Sequence, residues 1–189
     1  MDDNRSPVPG SEFTLDCDCL LLSVGLIPEN ELSRELGVAL DPVTLGPVVN
    51  QFRHTSVPGV FAAGNVLHVH DLVDFVSEES ELAGRAAADF AAGNLPLACP
   101  TLAVVVGAGV RAVVPQNIAL VPEAQGAIRL YLRAAVPLQK CILSVSSGEK
   151  TILTKRLPVA KPSEMIVVDV DSLSLTEGTT ELYVSLREV

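Results

Sequence analysis

The residues Gly93-Asn94-Leu95-Pro96 divide this chain into two parts built on different periodicities. Glycine just past a helix and proline beyond it form a helix stop. Before the stop lies the one long helical pattern, residues 71–92, in which Leu72, Phe75, Val76, Leu82, Ala83, Ala86, Ala87 and Phe90 recur at three- and four-residue spacing. Ala83, Gly84 and the run 86–88 give this helix a small-residue face suited to packing on a sheet. After the stop, the runs 111–115, 128–135, 140–146, 150–157, 165–170 and 181–187 are short and rich in Val, Ile, Leu and Tyr. Turn signals separate them, including Ser147-Gly148, Lys161-Pro162 and Glu177-Gly178. Short strands at this spacing predict an antiparallel sandwich. Charge breaks at the same place: residues 1–98 carry 4 basic and 15 acidic side chains, residues 99–189 carry 9 and 8. We therefore expect a polar tail at 1–11, one domain at 12–95 and a second at 100–189, meeting near residues 96–100.

The first part holds the chemistry. A strand is expected at 13–25, where Phe13, Leu15, Cys17 and Cys19 alternate with polar residues before the buried run Leu20-Leu21-Leu22. A short helix at 29–36 ends at Gly37, and strands follow at 47–52 and 60–63. Thr55-Ser56-Val57-Pro58-Gly59-Val60-Phe61-Ala62-Ala63-Gly64-Asn65 reads as a turn, a strand buried on both faces, and a glycine. Gly64 has no Cβ, so a ligand can lie against its backbone. Beyond it, Asp71 precedes a helix whose N-terminal amides face the same point, a common way of holding a polar or anionic group.

Residues 55–65 resemble the second FAD-binding motif of two-dinucleotide-binding flavoproteins, the thioredoxin reductase-like and pyridine nucleotide-disulfide oxidoreductase group. There a threonine leads through an apolar strand to Ala-x-Gly-Asp; here the acid is Asn65. Upstream, Ser23-Val24-Gly25-Leu26-Ile27-Pro28-Glu29-Asn30 resembles the family's Gly-x-x-Pro-Asn segment, and Gly46-Pro47-Val48-Val49-Asn50 matches the strand between. The resemblance covers roughly residues 12–92. It implies an α+β chain: an incomplete Rossmann-like α/β FAD-binding segment followed by the all-β sandwich-like domain. It also implies that Gly64, Asn65, Val66, Asp71 and Leu72 line the ribityl and pyrimidine side of a flavin, Asn65 meeting a ribityl hydroxyl in place of the acid. The Gly-x-Gly-x-x-Gly half and the NAD(P)-binding domain are not in these residues. The expected function is thus that of a C-terminal fragment or subunit of an FAD-dependent, NAD(P)H-linked oxidoreductase, inactive and colourless alone. Its partners would be the N-terminal FAD- and NAD(P)-binding regions or a partner subunit, with self-association through uncovered apolar surface. The alternative is a docking module in which the flavin motif is a relic and the β-rich part mediates protein interaction.

Other features exclude or mislead. No apolar run is long enough to span a bilayer, and a net charge of −10 argues against a nucleic-acid surface. The N-terminus lacks the basic and apolar regions of a signal peptide, and 4 cysteines in 189 residues fit a reducing cytoplasm better than a disulfide scaffold. Cys17-x-Cys19 lacks dithiol spacing, so buried reduced thiols are expected. His68 and His70 invite a metal reading, but the third-ligand candidates are only His54 and Asp71, and no metal site is assigned. By the resemblance, their backbone rather than their imidazoles runs beside the flavin. Gly107-Ala108-Gly109-Val110-Arg111-Ala112 matches a dinucleotide fingerprint, yet a strand rather than a helix should follow. Glu78-Glu79-Ser80-Glu81 is expected to be a solvated helix face.

Overall fold

A computed structural model describes residues 2, 6–23, 25–95, 99–121, 126–175 and 181–189. Among them the chain is α+β, with both α-helices before residue 95 and all eight strands after residue 100. Helix α1, Glu31–Glu35, carries Glu31 in its first turn and Arg34 in its last, both complementing the helix dipole. Helix α2, Val73–Ala91, begins after the extended N-cap Leu72. Its buried stripe is Glu79, Ala83 and Ala86; of the expected small-residue face, Ala83 and Ala86 turn inward while Gly84 and Ala88 are exposed. The expected junction falls partly on residues 96–98, and Glu177-Gly178 on 176–180, both outside the described residues.

The strands are β1 Thr101–Val106, β2 Val110–Val114, β3 Asn117–Ala119, β4 Ala127–Ala134, β5 Leu138–Ser147, β6 Lys150–Ala160, β7 Ile166–Asp171 and β8 Glu181–Glu188. They form a five-stranded sheet in the order β3-β1-β8-β5-β6 and a three-stranded sheet in the order β2-β4-β7. Alternate residues from both sheets enter one apolar core, including Leu102 of β1, Leu143 of β5, Leu182 of β8, Leu130 of β4 and Val168 of β7. The expectation of an antiparallel arrangement needs one correction: β1 and β8 run parallel, with Val104 opposite Leu182. The N- and C-terminal strands of this region thus close the middle of the larger sheet. Sequence runs could not show this, because pairing partners far apart leave no local signal.

The false fingerprint resolves into this packing. The segment 107–109 connects β1 to β2 across the two sheets and passes directly over β8. Gly107 N–H donates to Val184 O, and Leu186 N–H donates to Ala108 O. Gly109 has φ +74, and a Cβ there would lie 2.2 Å from Leu186 O. Gly109 serves a close backbone approach and Gly107 leaves room for the Tyr183 ring, and a strand follows them, as the absence of helical periodicity required.

The first region is less regular than its sequence predicts. The expected strands at 13–25, 47–52 and 60–63 are not formed; only isolated bridges occur, Leu40 with Pro47, Val49 with Thr55 and His54 with Phe61. A strand is defined by its neighbour, and no described segment pairs with 13–23. Phe13, Leu15, Leu20, Leu21 and Leu22 are accordingly exposed, Leu21 by 89%. Cys17 and Cys19, expected to be buried, are exposed for the same reason.

The two regions are joined by paired groups. Gln51 exchanges two hydrogen bonds of 2.7 Å with the backbone of Ala119. Val49 accepts from Asn117 N–H and donates to Gln116 Oε1. Val49, Ala62, Leu67 and Val114 form a small second core that draws on both regions. Arg129 of β4 reaches Glu78 of α2, and Arg133 of β4 reaches Asp71.

Candidate functional site

The site grows from the turn that follows residues 60–63. Gly64–Val66 form one 3-10 turn, and Gly64 is buried with φ +73. That left-handed backbone is the conformation glycine adopts without steric cost. Asn65 is exposed on the turn, and its Oδ1 accepts the His70 N–H at 3.1 Å. The Asn65 amine has no partner among the described residues. Val66 O accepts from Asn30 Nδ2 at 2.8 Å, and the same amide donates to Leu45 O at 3.1 Å. Asn30 is only 1% exposed. The asparagine of the upstream motif therefore latches the two motif segments together.

The consequence is a shared wall. Gly25, Leu26, Ile27 and Glu29 line one open groove of about 480 Å³ together with Asn65 and Val66. Two of the five expected site residues, Asn65 and Val66, thus meet the upstream motif. Gly64 lies beneath, facing helix α2 instead. Asp71 and Leu72 do not line this groove: the Asp71 carboxylate pairs with Arg133 and accepts Met165 N–H, while Leu72 caps α2 and is 55% exposed.

Beneath the turn is a buried charged cluster that sequence reading missed. Glu79 projects from α2 into the interior and is 1% exposed. Its Oε1 accepts from Arg53 Nε at 2.9 Å and lies 3.2 Å from His68 Nε2. Its Oε2 accepts the Gly64 N–H at 2.8 Å and lies 2.9 Å from His70 Nε2. The acidic run 78–81 is therefore a solvated face only in part. Glu79 points inward, whereas Glu78 and Glu81 form exposed pairs with Arg129 and Arg85. The signal that could have found it was Glu79 standing four residues before Ala83 and seven before Ala86, on the apolar stripe. The imidazoles of His68 and His70 both reach this carboxylate.

Electrostatics fix the roles of these groups. Burial alone would raise the Glu79 pKa, but hydrogen bonds from His68 and His70 and the Arg53 charge outweigh it and hold the carboxyl well below the usual range. An ionised carboxylate only accepts, so each Nε2 carries the proton. His70 Nδ1 is buried without a hydrogen-bond partner among the described residues. His68 is pushed below its ordinary value by burial, with Arg53 and His70 adding to the effect against Glu79. Arg53 adopts φ +63, unusual for a side-chain-bearing residue. Its ion pair and the Arg53 N–H to Asn50 O bond of 2.9 Å hold it there.

Three donors of this cluster, on His68, His70 and Glu79, lie within 4.8 Å of one another. They fit a metal poorly, because both Glu79 oxygens are already engaged and a divalent ion would face the Arg53 cation. His54, the other histidine, is elsewhere: it accepts from Gly59 N–H and packs against Phe61 and Phe90. Tyr131 of β4 covers the cluster, with its ring centroid 5.5 Å from that of His68, 5.6 Å from that of His70 and 5.6 Å from Arg53 Cζ. The second region thereby supports the turn that the first region presents.

With this geometry in place, the first region can be compared with known proteins. The family profile described as pyridine nucleotide-disulphide oxidoreductase matches residues 2–89. The match covers most of the first region and stops before the strands of the second. Curated relatives include a dihydrolipoyl dehydrogenase of Manduca sexta, 43% identical over 61 residues, covering 31% of this chain and 12% of that protein. An NADP(+)-dependent formate dehydrogenase subunit beta of Moorella thermoacetica is 36% identical over 85 residues, 41% of this chain and 11% of that subunit. A nitric oxide reductase FlRd-NAD(+) reductase of Salmonella typhi is 30% identical over 95 residues, 50% of this chain and 24% of that enzyme. The chain thus spans at most about a quarter of the length of these relatives. No solved structure matches it significantly. No helix among the described residues is long and apolar enough to cross a membrane.

Proposed function

We propose that this chain supplies the ribityl and pyrimidine side of the flavin site in an FAD-dependent, NAD(P)H-linked oxidoreductase. One observation carries this reading: two family motifs more than 30 residues apart are latched by Asn30 and line one groove. The proposed holders are Gly64, Asn65 and Val66, with Asp71 and Leu72 preceding the helix. Bound there, FAD would supply the hydride chemistry. The chain's own residues bind and orient. Asn65 offers its unpartnered amine to a ribityl hydroxyl while its oxygen fixes the loop on His70 N–H. Glu79 holds the Gly64 amide, and with it the backbone of the turn. The first-turn amides of α2 would stabilise negative charge near the helix start.

Residues 12–95 are one wall of a Rossmann-like FAD domain, and 100–189 are a sandwich-like module in place of a dimerisation domain. The remaining wall and the NAD(P) site come from N-terminal regions or a partner subunit, and the exposed side chains of 13–22 are the surface they would cover. We place the protein in the cytoplasm. A docking module with a relic motif is the second reading, favoured by the fact that a single wall leaves most of a cofactor's contacts unmade.

The test is an absorbance spectrum and flavin analysis of the purified chain, repeated after the nucleotide-binding regions are supplied. We expect a colourless chain alone and stoichiometric FAD in the completed protein. A completed protein without flavin would overturn the reading.

A further inference from the structure

A second space lies between the two regions. It is a cavity of about 380 Å³, within the range of small-molecule sites, walled by 26–28, 43–45 and 68–69 on one side and by β2, β4, Pro162 and Met165 on the other. The chain has 23 acidic and 13 basic residues, yet this lining contains no Asp or Glu and two arginines, Arg111 and Arg133. Arg133 is already answered by Asp71 and by Val69 O at 3.0 Å. Arg111, exposed on β2, has no hydrogen bond or ion pair among the described residues. The rest of the wall is largely apolar, with Val114 and Leu132 buried beside Met165.

We propose that this cavity binds a small organic carboxylate, its carboxyl group on Arg111 and its hydrocarbon part against Val114, Leu132 and Met165. The charge match decides the class. One uncommitted guanidinium balances a monoanion, and its planar fork presents two parallel donors to the two oxygens of a carboxylate. A phosphate dianion would keep an unanswered charge beside an apolar wall. Leu26 and Ile27 line both this cavity and the groove of Asn65. Resting on the flavin reading above, the shared wall makes the bound acid the substrate or product of the redox reaction.

The site can be tested without flavin. The 189-residue chain is titrated with benzoate and followed by amide NMR, with benzyl alcohol and inorganic phosphate as parallel probes. We expect saturable shifts at Arg111, Ala112 and Val69, and at least about tenfold weaker responses to the alcohol and to phosphate. Arg111→Met should weaken benzoate about tenfold or more, and Arg111→Lys should keep part of the affinity. No saturable shift, equal binding of the alcohol, phosphate binding as tight as benzoate, or unchanged affinity in Arg111→Met would each overturn the site. Because FAD takes no part, benzoate binding with no flavin uptake in the completed protein would sink the flavin reading alone, and the reverse would sink the carboxylate site alone.

Discussion

The two regions of this molecule are held together by opposite means. Among the described residues, every buried polar or charged side chain lies in the first: Asn30, Arg53, Thr55, His68, His70 and Glu79. The second is held by sheet pairing around aliphatic residues from both sheets. An aliphatic core tolerates many sequences, because burial is non-directional. A buried ion-paired network specifies particular backbone positions, at the cost of desolvating each member. The difference teaches where the position of the backbone is specified: the network fixes the Gly64 amide and the turn that displays Asn65, and the sheets provide a back wall through Tyr131.

Predictions that break or sharpen this contrast differ in size. Glu79→Ala should cost about 3–5 kcal/mol, because it leaves Arg53 buried without its partner. Equilibrium denaturation would measure it, and a loss near zero would show that the network contributes nothing. Leu143→Ala, in the aliphatic core, should cost about 2–5 kcal/mol by cavity formation. If Tyr131, Gln51 and Arg133 couple the regions into one cooperative unit, both variants will shift a single transition. Two separable transitions, each moved by only one variant, would mean that the regions unfold independently.

A smaller effect concerns pH. Glu79 is depressed in the fold, so its stabilisation is present above its unfolded value of 4.5 and is lost as pH falls toward the folded value. His68 is also lowered, so the unfolded chain takes up a proton below about 6.5 that the native state resists. Both act in the same direction. Stability should fall as pH drops below 6.5, more steeply below 4.5, and Glu79→Gln should flatten the lower limb. A pH series of unfolding midpoints that rises on acidification would contradict both assignments. Smallest of all, Arg85→Ala should leave the unfolding midpoint unchanged within error, since the Arg85–Glu81 pair is 77% and 72% exposed.

What the sequence disclosed follows the same division. The six strand runs of the second region were legible because alternation is a local property, and each lies within a few residues of its observed bounds. The three-residue strand β3 and the parallel β1–β8 pair were not, since both depend on distant partners. In the first region, α2 and the Gly37 stop of α1 were legible from periodicity and a left-handed glycine. The strands expected at 13–25 and 60–63 were not formed, because a buried apolar run needs a neighbour to complete it. That Asn65 and Val66 share one groove with Gly25, Leu26, Ile27 and Glu29 was not legible, since it too depends on distant segments meeting. The cluster beneath them stayed hidden, because a glutamate within an acidic run looks solvated until the helix is packed and its inward face is known.

The most direct test concerns residue 65 in the protein completed with its nucleotide-binding regions. Apo forms of the wild type, Asn65→Asp and Asn65→Leu would be titrated with FAD at matched pH and salt. Aspartate keeps the acceptor for His70 N–H and offers its second oxygen to the ribityl hydroxyl, whereas leucine offers neither. An unpaired buried hydroxyl costs about 1–3 kcal/mol. We therefore expect Asn65→Asp to bind FAD much as wild type does, and Asn65→Leu to bind it about ten- to a hundredfold more weakly. Equal affinities for all three would mean that residue 65 does not touch the cofactor, and the flavin wall assigned to this chain would be wrong.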